Sequence, residues 1–206
     1  MPKKNCGGLS SKQLEKFVKA SYKKKSQAQH VNGYTLDPTI STKRSKVYVD
    51  PAGKVVVAHA GTDSASDWLS NIAIPFGLHH KTTRYKRAER VQKKANEKYG
   101  IDSITTTSHS QSGAIANELA RKGLTGKSVS LNPAIIGKHS GVQVVRSAHD
   151  PVSLLTHIGK DDVTIEGKTM NPLIEHRPST LSRTDQEFGG YMKARPRGMM
   201  FVMDEN

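Results

Sequence analysis

Residues 105–116 combine a strand-forming run, a turn of small residues and a helix-forming segment. They read Thr-Thr-Thr-Ser-His-Ser-Gln-Ser-Gly-Ala-Ile-Ala, with Ser110 near the centre. β-Branched residues favour an extended strand, and the alanine-containing continuation favours a helix. A strand that turns sharply into a helix at one serine exposes a nucleophilic hydroxyl at the edge of a sheet. The segment therefore favours an α/β fold and marks Ser110 as a candidate nucleophile.

Strand-like and helix-like segments alternate through the middle of the chain. This alternation predicts an α/β fold of the α/β-hydrolase type: a central, mostly parallel sheet flanked by helices in a small single domain. The predicted strands are residues 46–50, 54–60, 102–108, 127–131, 142–147 and 162–167, and the predicted helices are residues 84–99 and 112–122.

The N-terminal part predicts one further helix. Ser10 and Gln13 have the spacing of a capping box, and apolar residues then recur at helical intervals. Lys23, Lys24 and Lys25 end this helix, and a polar stretch continues through Pro38. We expect residues 1–9 to be a flexible basic arm, residues 10–180 the hydrolase-like domain, and residues 181–206 a basic, partly irregular segment.

The net charge of +14 over 206 residues predicts an anionic partner. Nucleic acid, an anionic membrane surface and an acidic protein all fit a field of this sign. The single cysteine, Cys6, excludes an internal disulfide and fits a reducing compartment. Because no apolar leader or run of about 18 apolar residues is evident, we expect a cytoplasmic protein without a secretory signal or transmembrane segment.

Three separated blocks resemble class 3 lipases, a branch of the α/β-hydrolases. The block around Ser110 resembles their nucleophile elbow, residues 55–64 with Asp67-Trp68 resemble their oxyanion strand, and residues 144–153 resemble the strand end that carries the triad aspartate. The resemblance covers about half of the chain. It implies an ester hydrolase with Ser110 as nucleophile and Asp150 as the orienting acid.

The remaining catalytic roles follow from the same chemistry. A serine hydroxyl needs a histidine base, and in the order Ser…Asp…His only His157 and His176 follow Asp150. His176 is favoured because it lies in a predicted loop, whereas His157 falls in a helix predicted from Val152. The backbone N–H groups of Thr62, by resemblance, and Gln111, at the helix N-terminus, are the predicted oxyanion donors.

Several residues are alternatives or departures from the family pattern. Asp161 and Asp162 are the alternative acids, and His109 and His149 are predicted to be structural. The flanking glycines of the elbow are replaced by Ser108 and Ser112, and the usual aromatic residue and arginine before Gly-Thr are replaced by His59 and Ala60. Trp68 and residues 72–78 are predicted core positions, the latter with a lid or acyl groove as the alternative.

The sequence predicts neither a metal site nor a cofactor. The adjacent pair His79-His80 diverges on either a helix or a strand, and no phosphate-binding glycine loop is evident. The favoured interpretation is a serine ester hydrolase that acts on an ester or lipid through an acyl-enzyme. The alternative is a weakly active or inactive hydrolase-fold protein that serves as a basic structural or nucleic-acid-associated component, for example in a virus particle.

Overall fold

One mixed sheet of eight strands organises the chain. The computed structural model describes residues 8–62, 82–184 and 187–188. Four of the seven strand pairings are parallel and three are antiparallel. In sheet order the strands are β2 (His30–Val31), β3 (Tyr34–Leu36), β4 (Ser45–Val49), β5 (Val55–His59), β6 (Ile104–His109), β7 (Lys127–Leu131), β8 (Gln143–Ser147) and β9 (Val163–Ile165).

Helices cover both faces of this sheet. They are α1 (Ser11–Tyr22), α2 (Thr83–Tyr99), α3 (Ser112–Arg121) and the short α4 (Pro172–Glu175), with 3₁₀ turns at Lys25–Gln27, Ile101–Ser103 and Pro178–Arg183. A separate two-stranded ladder joins β1 (Leu9–Ser10) to β10 (Glu187–Phe188). The prediction of a small α/β domain of hydrolase type, with a mostly parallel sheet flanked by helices, is confirmed.

Side-chain alternation along β5 explains the two packed layers. Val56 and Ala58 join the cluster that contains Phe17 of α1, whereas Val55 and Val57 join the cluster that contains Val91 of α2. Successive residues of a strand point to opposite faces, so this strand, which is apolar from Val55 to Ala58, can be buried on both sides. The predicted capping box of α1, with Ser10 and Gln13, is present and fixes where that helix begins.

One element was not predicted from the sequence, and one predicted element is wrong. The polar stretch before Pro38 contains the β2–β3 hairpin, whose turn at Asn32 and Gly33 has positive φ values of 51° and 80°. The helix predicted from Val152 is absent, and residues 151–155 form turns instead. There the chain is held against the segment that follows β7, because Gly137 exchanges backbone hydrogen bonds with Leu155 and His157.

The carboxyl ends of the parallel strands bring the candidate residues to one edge of the sheet. Thr62 follows β5, Ser110 follows β6 directly, and Asp150 follows β8. Ligands of open α/β sheets bind outside this edge. Cys6, Trp68, residues 72–78 and the pair His79-His80 lie outside the described residues.

Candidate active site

Ser110 occupies a strained turn between β6 and α3. Its φ is 59°, in the left-handed region that side chains other than glycine rarely adopt. The other described non-glycine residues with positive φ are Asn32 and Asn132, and asparagine tolerates this region better than serine does. Strain of this kind persists where surrounding contacts enforce it, and it concentrates at active sites. The backbone of Ser110 therefore has the geometry of a nucleophile elbow.

Close backbone approaches hold this turn in place. A side chain at Gly61 would lie 2.6 Å from the carbonyl oxygen of His109 and 2.9 Å from Cβ of Ser110. A side chain at Gly113 would lie 2.4 Å from Cβ of Pro133. Since contacts under 3 Å force a shift, glycine is required at both positions for the elbow to pack against its neighbours.

Hydrogen bonds accommodate the two serines that replace the flanking glycines. Ser108 Oγ donates to Ser130 Oγ at 2.8 Å, between neighbouring parallel strands. Ser112 Oγ accepts from the His109 N–H at 3.0 Å and donates to the His59 carbonyl at 2.7 Å. Both hydroxyls are buried, and a buried polar group is tolerated when it is paired. The substitutions therefore leave the turn intact.

Asp150 and His176 form a buried pair at the same edge of the sheet. His176 Nδ1 lies 2.9 Å from Asp150 Oδ1, and the carboxylate also accepts the N–H groups of Val152 and Ser153 at 3.2 Å each. A neutral ring that donates from Nδ1 carries its lone pair on Nε2, which is the tautomer that a general base requires. Asp150 thus has the partners of an orienting acid.

A buried carboxylate fixes the segment that contains His176. The sequence predicts a loop there, and the structure places His176 directly after the short helix α4, as its C-cap. Glu175 of α4 accepts hydrogen bonds from Arg183, Ser147 and the N–H groups of Lys168 and Thr169. The Arg183 hydrogen bond is the largest influence that lowers the pKa of Glu175, to about 2. Glu175 therefore stays ionised at neutral pH and anchors the residue next to His176.

His109 is buried and connects Tyr22 of helix α1 to the backbone of His176. Its Nδ1 lies 2.6 Å from the Tyr22 hydroxyl, and its Nε2 lies 2.8 Å from the His176 carbonyl oxygen. Burial lowers the pKa of His109 to about 3, so the ring is neutral at pH 7. The Tyr22 hydroxyl also accepts the Gly61 N–H at 2.8 Å. Helix α1 thus contacts residues 60–62, the candidate oxyanion segment, directly, and residues 172–176, the histidine segment, through His109.

Thr62 and Gln111 lie side by side across the elbow. Thr62 Oγ1 donates to Gln111 Oε1 at 2.9 Å. Among the described residues, neither backbone N–H finds a hydrogen-bond acceptor. Oxyanion donors need this availability because a developing negative charge must find unpaired N–H groups.

Two arginines brace the oxyanion segment in place of the one that the sequence lacks beside Gly61. Arg44 donates to the Gly61 carbonyl at 2.7 Å, and Arg84 donates to the Ala60 carbonyl at 2.5 Å. Arg84 also donates to Gln111 Oε1. Sequence reasoning missed Arg44 and Arg84 because basic residues beside Lys43 and at the start of a charged helix look like solvent-exposed charge. It also missed Tyr22, whose helical spacing predicts only a packed residue of α1.

A family model matches most of this chain. The Tle-like phospholipase domain, a phospholipase-like family, matches residues 18–153, about two thirds of the sequence. The chain belongs to this family. A comparison with curated proteins finds no match. The prediction of a lipase-like hydrolase is confirmed at that level.

The Tle-like phospholipase match includes Thr62, Ser110, Gln111 and Asp150 but ends before His176. The candidacy of His176 therefore depends on its bond to Asp150 in this structure. His157, the alternative base, has an exposed side chain that makes no hydrogen bond within the described residues.

The other acidic and histidine candidates have partners away from Ser110. Asp162 pairs with His139 at 2.8 Å, and although burial opposes it, hydrogen bonds from His139, Val144 and Gly159 lower its pKa. His149 Nδ1 lies 3.0 Å from the Thr169 carbonyl oxygen. These contacts are structural.

Within residues 8–62 and 82–184, no group of three or more His, Cys, Asp or Glu side chains could hold a metal ion. Over the same part of the chain, no helix has the length and apolar character needed to cross a lipid bilayer.

Proposed function

We propose that this chain is a serine ester hydrolase that cleaves the carboxylic esters of phospholipids. The observation that carries the proposal is the buried Asp150–His176 bond at the sheet edge where Ser110 adopts its positive φ. The resemblance to class 3 lipases and the phospholipase-like family support the ester chemistry and the lipid substrate. The charge of +14 supports attraction to an anionic membrane surface.

The first half-reaction forms an acyl-enzyme. Ser110 Oγ attacks the ester carbonyl carbon while His176 Nε2 takes its proton, and Asp150 stabilises the imidazolium that results. The carbonyl oxygen becomes an oxyanion that accepts hydrogen bonds from the N–H groups of Thr62 and Gln111. The intermediate collapses, the bond to the alcohol oxygen breaks, and His176 returns the proton to the departing lysophospholipid.

The second half-reaction releases the fatty acid. Water attacks the acyl carbon while His176 again accepts a proton, and the same oxyanion donors stabilise the second tetrahedral intermediate. The bond to Ser110 Oγ then breaks, and His176 returns the proton to that oxygen. One water is consumed, and one fatty acid and one lysophospholipid are produced.

A fluorophosphonate probe tests the nucleophile directly. Wild-type protein should be labelled at Ser110 and should hydrolyse a short-chain phosphatidylglycerol, and Ser110→Ala should lose labelling and about 10³-fold or more of the rate. Ser26→Ala is the matched control, because Ser26 is exposed and makes no side-chain hydrogen bond within the described residues. Folded wild-type protein, verified by circular dichroism, that takes up no probe would contradict the proposal and favour the basic structural alternative.

A further inference from the structure

A second feature adjoins the oxyanion segment on the side of helix α2. A cavity of about 330 Å³ lies between the start of α2, the end of β5 and residues 42–45. Ala60 and Ser112 belong to its wall, each two residues from Thr62 and Ser110 respectively. A ligand seated in this cavity is therefore close in the fold to the proposed reaction centre without using the same side chains.

The lining of this cavity is strongly cationic. Lys43, Arg44, Arg84 and Arg87 all contribute, and no Asp or Glu of the described residues does. Arg44 and Arg84 also donate to the oxyanion segment. Lys43 and Arg87, in contrast, have exposed side chains that make no ion pair or hydrogen bond with the described residues. Two cationic groups at the rim are thus available to an anion.

The backbone of α2 adds favourable polarity. Thr82 caps this 17-residue helix, and its first turn contains no acidic residue. Thr83 and Arg84 of that turn lie on the cavity wall. The N-terminus of a helix presents unpaired N–H groups and the positive end of the helix dipole, and both favour a bound phosphate.

A buried histidine, His59, also lines the cavity. Its Nδ1 lies 2.8 Å from Ser45 Oγ, and burial is the largest cause that lowers its pKa, to about 4, although the Gln92 side chain acts in the opposite direction. His59 is therefore neutral at pH 7 and adds a buried polar group to the cationic wall.

The cavity is also amphipathic. Ala88 and Ile115 give it an apolar part, and the cationic side chains give it a charged part. A free inorganic anion would use only the charged part. A phosphodiester that carries glycerol and acyl carbons would use both parts.

We propose that this cavity binds the phosphate group of a phospholipid, with Lys43 and Arg87 as the residues that recognise its charge. The lipid source of the phosphate rests on the proposed function, whereas the phosphate site itself does not. Binding here would hold the headgroup beside the oxyanion segment and present a glycerol ester to Ser110. Lys43 and Arg87 are therefore specificity-determining residues that take no part in bond breaking.

Binding is measured by calorimetry in the Ser110→Ala background, so that no turnover is needed. The ligands are dihexanoylphosphatidylglycerol, dihexanoylglycerol, which lacks the phosphate, and inorganic phosphate. The test variant is Lys43→Gln/Arg87→Gln. Its control is Arg90→Gln/Lys94→Gln, which removes the same charge from exposed positions of α2 that lie outside the cavity lining.

We expect the test variant to weaken binding of the phosphate-bearing ligands by about tenfold or more, and the control variant to change it less than about twofold. Dihexanoylphosphatidylglycerol that binds more tightly than inorganic phosphate supports the headgroup as the source, and equal affinities support the site but assign it to free phosphate. Equal losses in both double variants, or no binding of either phosphate ligand, would overturn the proposal. Because hydrolysis is not required, an inactive wild-type enzyme contradicts only the proposed function.

Discussion

The Glu175–Arg183 ion pair makes the fold sensitive to acid and offers a quantitative test of how the histidine segment is held. Glu175 is fully buried, and its pKa is lowered from 4.5 to about 2, with the Arg183 hydrogen bond as the largest cause. A carboxylate with a depressed pKa stabilises the folded state above its unfolded pKa. That stability is lost as the pH falls from about 4.5 through about 2. The difference corresponds to about 3 kcal/mol at neutral pH.

Arg183→Leu removes the charged partner and leaves the carboxylate in place. Ser147 and two backbone N–H groups still donate to Glu175, so part of the stabilisation remains. We expect the free energy of unfolding at pH 7 to fall by about 2–3 kcal/mol, because a buried charge loses its partner. The dependence of stability on pH between 5 and 3 should become shallower, because the pKa of Glu175 moves back toward its unfolded value.

Urea denaturation followed by far-UV circular dichroism at several pH values between 3.5 and 7 measures both effects. Arg177→Leu is the control, because Arg177 is exposed and makes no ion pair within the described residues. Glu175→Gln alone and the double variant Glu175→Gln/Arg183→Leu complete a double-mutant cycle, which isolates the interaction energy of the pair. If Arg183→Leu matched Arg177→Leu in stability at pH 7 and in its pH dependence, the anchoring role of Glu175 would be refuted.

Two further substitutions probe the elbow and the proposed triad. Asp150→Asn should keep the fold but lower kcat for ester hydrolysis by about 10³–10⁴-fold, because an amide lacks the charge that stabilises the imidazolium and no longer fixes the tautomer of His176. A loss below tenfold in steady-state kinetics would argue against this role. Gly61→Ala should lower the free energy of unfolding by about 1–3 kcal/mol, since the Cβ of the new alanine would lie within 3 Å of Tyr22, His109 and Ser110. An unchanged thermal midpoint would contradict this close packing.

Local sequence signals predicted the elements around the elbow well. The strand predicted at residues 127–131 has the same bounds in the structure, and the helix predicted at residues 84–99 begins one residue earlier, at Thr83. These elements have strong periodicity and clear caps. The β2–β3 hairpin was not predicted, because the polar composition of this stretch resembles that of a loop. The dipeptide Asn32-Gly33, which favours a two-residue hairpin turn, is the signal that could have revealed it.

The contacts between distant segments could not be read from the sequence. Lys46 lies within a run of basic residues, yet it is fully buried in β4 and donates to the Ser21 carbonyl at 2.6 Å. Arg44, two residues earlier, reaches Gly61. Only the assembled fold shows which distant segment each of these side chains meets. Counting charges therefore overstates how much of the +14 is available to a partner.

The polar side chains around the elbow share a physical explanation. Three of them are paired with a group on another element: Ser108 with Ser130, Ser112 with the His59 carbonyl, and Gln111 with Arg84. A paired buried polar group costs little and an unpaired one costs about 1–3 kcal/mol, so each of these residues depends on its partner. Reverting Ser108 to glycine alone would leave Ser130 without that partner, so the family residue at one position would not improve this elbow.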